Sequence, residues 1–140
     1  MTSLVTSRSS TFAVAVYALF HPVPLGFFVA GWIFDIIYVW STAIFWTQGA
    51  SWLIAVGLVI SIIPRLINLV QVWVGTSSPL SPVRVHFWAY LIAVILEILN
   101  AFIHSRDAYA VVPEGVILST LAVMLMLFAN LQLAVRERTA

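Results

Sequence analysis

The chain has 140 residues, of which 63% are hydrophobic and 8% charged, with a net charge of +1 and a mean hydropathy of +1.10. That is too little charge to cover a soluble domain, and a near-neutral balance gives no grounds for a nucleic-acid partner. The absence of cysteine excludes disulfides, thiolate metal sites and cysteine nucleophiles.

Met1 to Thr11 is polar and rich in Ser and Thr, with a single charge at Arg8. Phe12 to Phe20 is apolar, but nine residues rise only about 14 Å as a helix, half of a bilayer core. A signal peptide is the rival reading, since Arg8 precedes a short apolar run. No small-x-small cleavage site follows, so a short interfacial or re-entrant helix over about 12–20 is expected.

Four apolar spans follow, at about 24–46, 52–74, 85–104 and 113–135. The expected architecture is therefore all-α, a polytopic membrane four-helix bundle in one transmembrane domain. Thr47 to Ser51 reads as the first turn, Gly75 to Pro82 as a Ser/Pro loop, and Ser105 to Val112 as the third connection. Pro64 removes one backbone hydrogen bond and predicts a bend in the second span. Pro113 and Glu114 suit the first turn of the fourth helix.

Polar residues inside the spans fall on stripes. In the third span His86, Tyr90, Ala93, Glu97, Asn100 and His104 are separated by steps of 4, 3, 4, 3 and 4. One helix face therefore carries every polar group, and such a face must meet other helices or a cavity. In the second span Gly57, Ser61, Arg65, Asn68 and Gln71 lie on one face at steps of 4, 4, 3 and 3. The first span carries Asp35, and the fourth carries Ser119 and Asn130.

Counted from one end of their spans, Asp35 lies about 16 Å deep, Arg65 about 13 Å and Glu97 about 20 Å. Buried charges must pair or lose their charge, so an interhelical cluster is expected in which Arg65 bridges Asp35 and Glu97. Asn68, Tyr90 and Asn100 complete this intramembrane polar group. It either fixes helix register or forms a proton or ion path.

His21, Asn68 and His86 form a second group near the cytoplasmic ends of their spans. Two imidazoles at one level can ligate a haem iron, of the b type, or a divalent metal. They can equally cap helices or hydrogen-bond across them. No GxGxxG, Walker, HExxH or G-x-S-x-G pattern is present, so the sequence shows no reaction.

Arg8, Arg84, Arg136 and Arg138 fall on one side of such a bundle, against Arg106 on the other. The positive-inside rule then places both termini in the cytoplasm. Trp46 and Trp52 would mark the outer interface, and Trp73 and Trp88 the inner one.

These residues carry a resemblance. His21-Pro22, then Pro24-Leu25-Gly26-Phe27-Phe28, Phe34-Asp35, Gly57, the Pro64-Arg65-Leu66-Ile67-Asn68 run, His86, Arg106 and Leu118-Ser119 resemble a bacterial four-helix inner-membrane family known as a domain of unknown function. The likeness covers nearly the whole chain and implies its topology. It departs at the second-span motif, usually Pro-Gly-x-x-Asp, where Arg65 replaces the glycine and Asn68 the aspartate. Ala129-Asn130 stands where the family commonly has a glycine pair.

Three functions are compatible with this reading. The leading one is a non-catalytic subunit or scaffold of a bioenergetic or photosynthetic membrane complex, in contact with lipid and with other subunits or copies of itself. The second is a haem- or metal-binding electron-transfer protein using His21 and His86. The third is a small proton or ion conductor using Asp35, Arg65 and Glu97.

Overall fold

A computed structural model describes residues 12, 15, 16, 18–74, 82–106 and 111–139, excepting the side chains of 68, 71–74, 82, 83, 137 and 139. Four helices account for almost all of them: α1 (Pro22–Ser41), α2 (Ile44–Val74), α3 (Pro82–His104) and α4 (Glu114–Thr139). Each forms or belongs to a helical stretch long and apolar enough to cross a membrane, over Ala18–Ser41, Ile44–Ile67, Arg84–His104 and Glu114–Arg136. The chain is an all-α four-helix bundle.

The helices pack in a ring, α1 against α2 and α4, and α3 against α2 and α4. They alternate in direction. The starts of α1 and α3 meet the ends of α2 and α4 at one end, the single-turn face. The end of α3 meets the start of α4 at the other, where α1 also turns into α2, the two-turn face.

Sequence periodicity decides which side of each helix meets lipid. On α3 the residues Trp88, Ile92, Ile95, Leu99 and Phe102 are all exposed, while the stripe from His86 to His104 is buried throughout. On α4 the exposed large apolar set is Ile117, Leu121, Met124, Leu127, Phe128, Leu131 and Val135. The core between the helices is built largely from small residues, with Ala89, Ala93, Ala122 and Ala129 packed around Phe28, Tyr90, Val123 and Met126. In lipid no hydrophobic force draws helices together, so close approach and good packing must do so.

The first turn differs from expectation. It lies at Thr42–Ala43, and Thr47 to Ser51 belongs to α2. Thr42 takes a left-handed backbone (φ 53°) and donates its N–H to the Tyr38 carbonyl, which closes α1 without a glycine. Gly49 is helical and serves a contact instead, since a Cβ there would lie 2.6 Å from the Phe34 ring.

At the other end of α1, residues 12, 15, 16 and 18–20 are helical and His21 keeps right-handed backbone (φ −60°, ψ −45°). Pro22 and Pro24 sit in the first turn of α1, where backbone N–H groups have no helical partner to lose. α2 continues past Pro64 to Val74. The Gly75 to Pro82 loop and Asp107 to Ala110 fall outside the described residues, except Pro82, which opens α3.

Candidate functional site

Two polar centres lie along the bundle axis. The first, toward the two-turn face, joins three helices. Asp35 of α1 accepts from Ser119 of α4 through Oδ2, and its Oδ1 lies 2.7 Å from His104 Nε2 of α3. Asn100 Nδ2 donates to Ser119 Oγ at 2.7 Å and to Glu97 Oε2 at 3.3 Å. Asp35, Glu97, Asn100 and Ser119 are each at most 1% exposed.

Proton bookkeeping narrows the state of His104. Its Nδ1 lies 3.0 Å from the Asn100 carbonyl, which can only accept, so Nδ1 carries a proton and donates it. The proton in the Nε2–Oδ1 bond then belongs to either partner. Moving it converts an ion pair into a neutral pair with no heavy atom displaced. Glu97 Oε1 and Asn100 Oδ1 are buried with no hydrogen-bond partner among the described residues.

Gly115 makes room for this centre. A Cβ there would sit 2.6 Å from Val111 Cγ1 and 3.1 Å from His104 Cε1. On its open side lies a cavity of about 600 Å³ lined by Thr47, Gln48 and Ser51 of α2, by Trp52, and by His104 and Arg106.

The second centre, toward the single-turn face, is aromatic and cationic. The rings of His21 and His86 meet edge-on with centroids 5.1 Å apart, and both pack on Tyr90, at 5.2 and 4.7 Å. Asn130 of α4 accepts from His86 Nε2 at 3.2 Å and donates to the Tyr90 hydroxyl at 2.8 Å. The Arg65 guanidinium lies 4.2 Å over the Tyr90 ring, and its Nη2 donates to His21 Nδ1 at 3.4 Å.

Sequence reasoning brought His21 and His86 to one level, and the structure places them in contact. It paired Asp35 with Arg65 and Glu97, but the ionic partner of Asp35 is His104, while Arg65 turns to His21 and Tyr90. Tyr90 belongs with Arg65 in the second centre, Glu97 and Asn100 with Asp35 in the first. The Asn68 side chain lies outside the described residues. His104 and Ser119 complete the first centre, and the signal for His104 was its place at the end of the α3 stripe.

A haem or divalent ion held by His21 and His86 does not fit this packing. A macrocycle would have to separate rings that are already in edge contact. A metal cation would meet the Arg65 guanidinium beside His21 and an already occupied His86 Nε2. Among the described residues no group of three or more His, Asp or Glu side chains is placed to hold a metal ion.

These features define a polytopic membrane bundle with its polar groups turned inward. The chain belongs to DUF2231, a family described as predicted membrane protein, whose model matches residues 13–133. The match agrees with the membrane family that the sequence resembles. No curated protein and no solved structure matches it.

Proposed function

We propose that this protein is a non-catalytic subunit or scaffold of a bacterial inner-membrane assembly, bioenergetic or photosynthetic, with both termini in the cytoplasm. One observation carries the reading: the buried side chains of Asp35, His86, Asn100, His104 and Ser119 hydrogen-bond to other helices of the same chain. Asp35 holds His104 and Ser119, Asn130 holds His86 and Tyr90, and Trp32 Nε1 donates to Thr120 Oγ1 at 2.8 Å. Groups spent on register are not arranged around a substrate. The orientation follows from the arginines near the single-turn face, Arg84, Arg136 and Arg138, with Arg8 preceding α1.

Purification in mild detergent tests it. Other membrane chains, or a second copy, in fixed ratio with this one support the reading. A monomer with no partner under conditions that preserve membrane complexes argues against it. The same preparation tests the haem alternative, for which a Soret band would be needed. Proton conduction is the second reading: the His104–Asp35 hydrogen bond, in which a proton changes owner in place, is compatible with it, but the apolar packing around Ala93 opposes a continuous path.

A further inference from the structure

We propose that the His104–Asp35 pair is a proton-loading site served only from the two-turn face. This is independent of whether the bundle also acts as a scaffold. Three observations converge on it.

The first is access. The 600 Å³ cavity lies at the two-turn face, where it is lined by Thr47, Gln48, Ser51 and Arg106 and reaches His104. The hydroxyl and amide groups of this wall can hold a file of water, the medium through which protons travel into a protein. The His104 side chain has no exposed surface, so the cavity meets this residue at its backbone and exchange requires the ring to turn.

The second is capacity. With Nδ1 held by the Asn100 carbonyl, the pair can carry one proton or two. Among the described residues the charged and titratable groups near it are few. α1 supplies Asp35 itself and, one turn on, the buried phenol of Tyr38, and α2 supplies the uncharged Thr47, Gln48 and Ser51. α3 adds Glu97, the turn after it adds Arg106, and α4 adds the Ser119 hydroxyl, with Glu114 exposed at its head. Arg65 is engaged at the other centre with His21 and Tyr90.

The third is closure. On the far side of Glu97 the α3 stripe loses its polar group at Ala93, and Ala122, Val123, Met126 and Phe28 fill that level. Tyr90, the next polar residue, is seven positions from Glu97, about 10 Å along the helix. An apolar layer of that depth holds no water file. The pair therefore charges and discharges through one face, and protons do not cross the bundle.

The chain has no cysteine, so Gln48→Cys gives a unique thiol on the cavity wall, at an exposed position. Full-length protein carrying this change and 15N-labelled histidine is reconstituted in phosphatidylethanolamine/phosphatidylglycerol vesicles. Accessibility to a membrane-impermeant maleimide sorts the orientation. The pH on each side is then stepped separately while the His104 ring nitrogen shifts are followed by NMR.

The expected result is that His104 responds to pH on the two-turn face and not to pH on the other. Attaching a bulky maleimide at the introduced thiol should slow that response by about 100-fold, the low end of what a positioned proton-transfer group contributes. The His21 and His86 signals should not change on labelling. Shifts that do not move with pH, that follow the single-turn face, or that respond equally fast after labelling would each overturn the proposal. Ala93→Ser adds a second measurement: a hydroxyl in the apolar layer should open a proton leak in vesicles that are tight with the unsubstituted chain, whereas a leak already present without it contradicts the closed layer.

Discussion

The two polar centres solve the same problem with different chemistry. Toward the two-turn face, two carboxyl groups and an imidazole are sealed among α1, α3 and α4, and directed hydrogen bonds bind Asp35 to both neighbours. Toward the single-turn face there is a guanidinium and, among the described side chains, no carboxylate, and the charge rests on ring faces beside the half-buried His21 and the buried His86. A carboxylate deep in a bundle must be met by named donors, because nothing else there replaces water. A cation nearer the interface can be met by π-faces, which tolerate displacement. The first centre should therefore be rigid and costly to damage, and the second adaptable.

The largest effect should come from breaking the first centre. Asp35→Leu removes the acceptor for both His104 and Ser119, leaving two buried donors without partners. A loss of about 3–5 kcal/mol is expected, the range for removing one member of a buried pair. Unfolding in mixed detergent micelles, followed by helical circular dichroism, measures it. Asp35→Leu combined with His104→Leu should recover some of the loss, since a matched apolar pair leaves only Ser119 to rearrange. No recovery would mean the two residues do not act as a pair.

Next comes the apolar layer that keeps the centres apart. A Cβ on Gly57 would lie 2.8 Å from Phe28 Cε1 and 3.0 Å from Phe27 Cβ, inside any ordinary contact. Gly57→Ala should cost about 1–3 kcal/mol, the usual range for overpacking. Phe28→Leu in the same chain should restore some of it. An unchanged midpoint in the single variant would show that α1 and α2 are loosely packed at this level.

Much of this contrast was legible in the sequence. The step pattern of 4 and 3 along α3 identified the inward face, and each of its six positions is buried. Periodicity reports which face a residue occupies, but its height must be counted from a helix end, and there the count failed. Counted from Pro24, Asp35 lies about 16 Å deep; the apolar helical stretch starts at Ala18, six residues earlier, which adds about 9 Å. That shift takes Asp35 past the level of Arg65 and up to His104. The turn at Thr42 was missed for a related reason, because Ser41-Thr42-Ala43 holds neither glycine nor proline, whereas Gly49 looked like a turn residue and is a packing contact. Nothing in one sequence states that Arg65 would choose a tyrosine face over a carboxylate.

A smaller effect is expected at the second centre. Arg65→Leu removes the guanidinium from the Tyr90 ring and the donor from His21, at a cost of about 1 kcal/mol. The same unfolding assay distinguishes this from Asp35→Leu by its size alone. A loss as large as that of Asp35→Leu would erase the proposed difference between a rigid and an adaptable centre.

The smallest effect separates charge from hydrogen bonding as the source of the first centre's strength. Trp32 Nε1 donates to Thr120 Oγ1 at 2.8 Å, and Thr120 in turn donates to the Val116 carbonyl at 2.6 Å. This bond joins α1 to α4 about one turn from the Asp35–Ser119 bond, with the same two helices and no charged group. Trp32→Phe keeps most of the ring and removes the donor, while Thr120 retains its carbonyl partner, so no buried group is stranded. The expected cost is about 0.6 kcal/mol, the average for a neutral interhelical bond in a membrane protein. If Trp32→Phe costs that little while Asp35→Leu costs several times more, the stability of the first centre resides in its charge. Comparable losses would instead mean that α1 and α4 are held by hydrogen bonds of equal worth, charged or not.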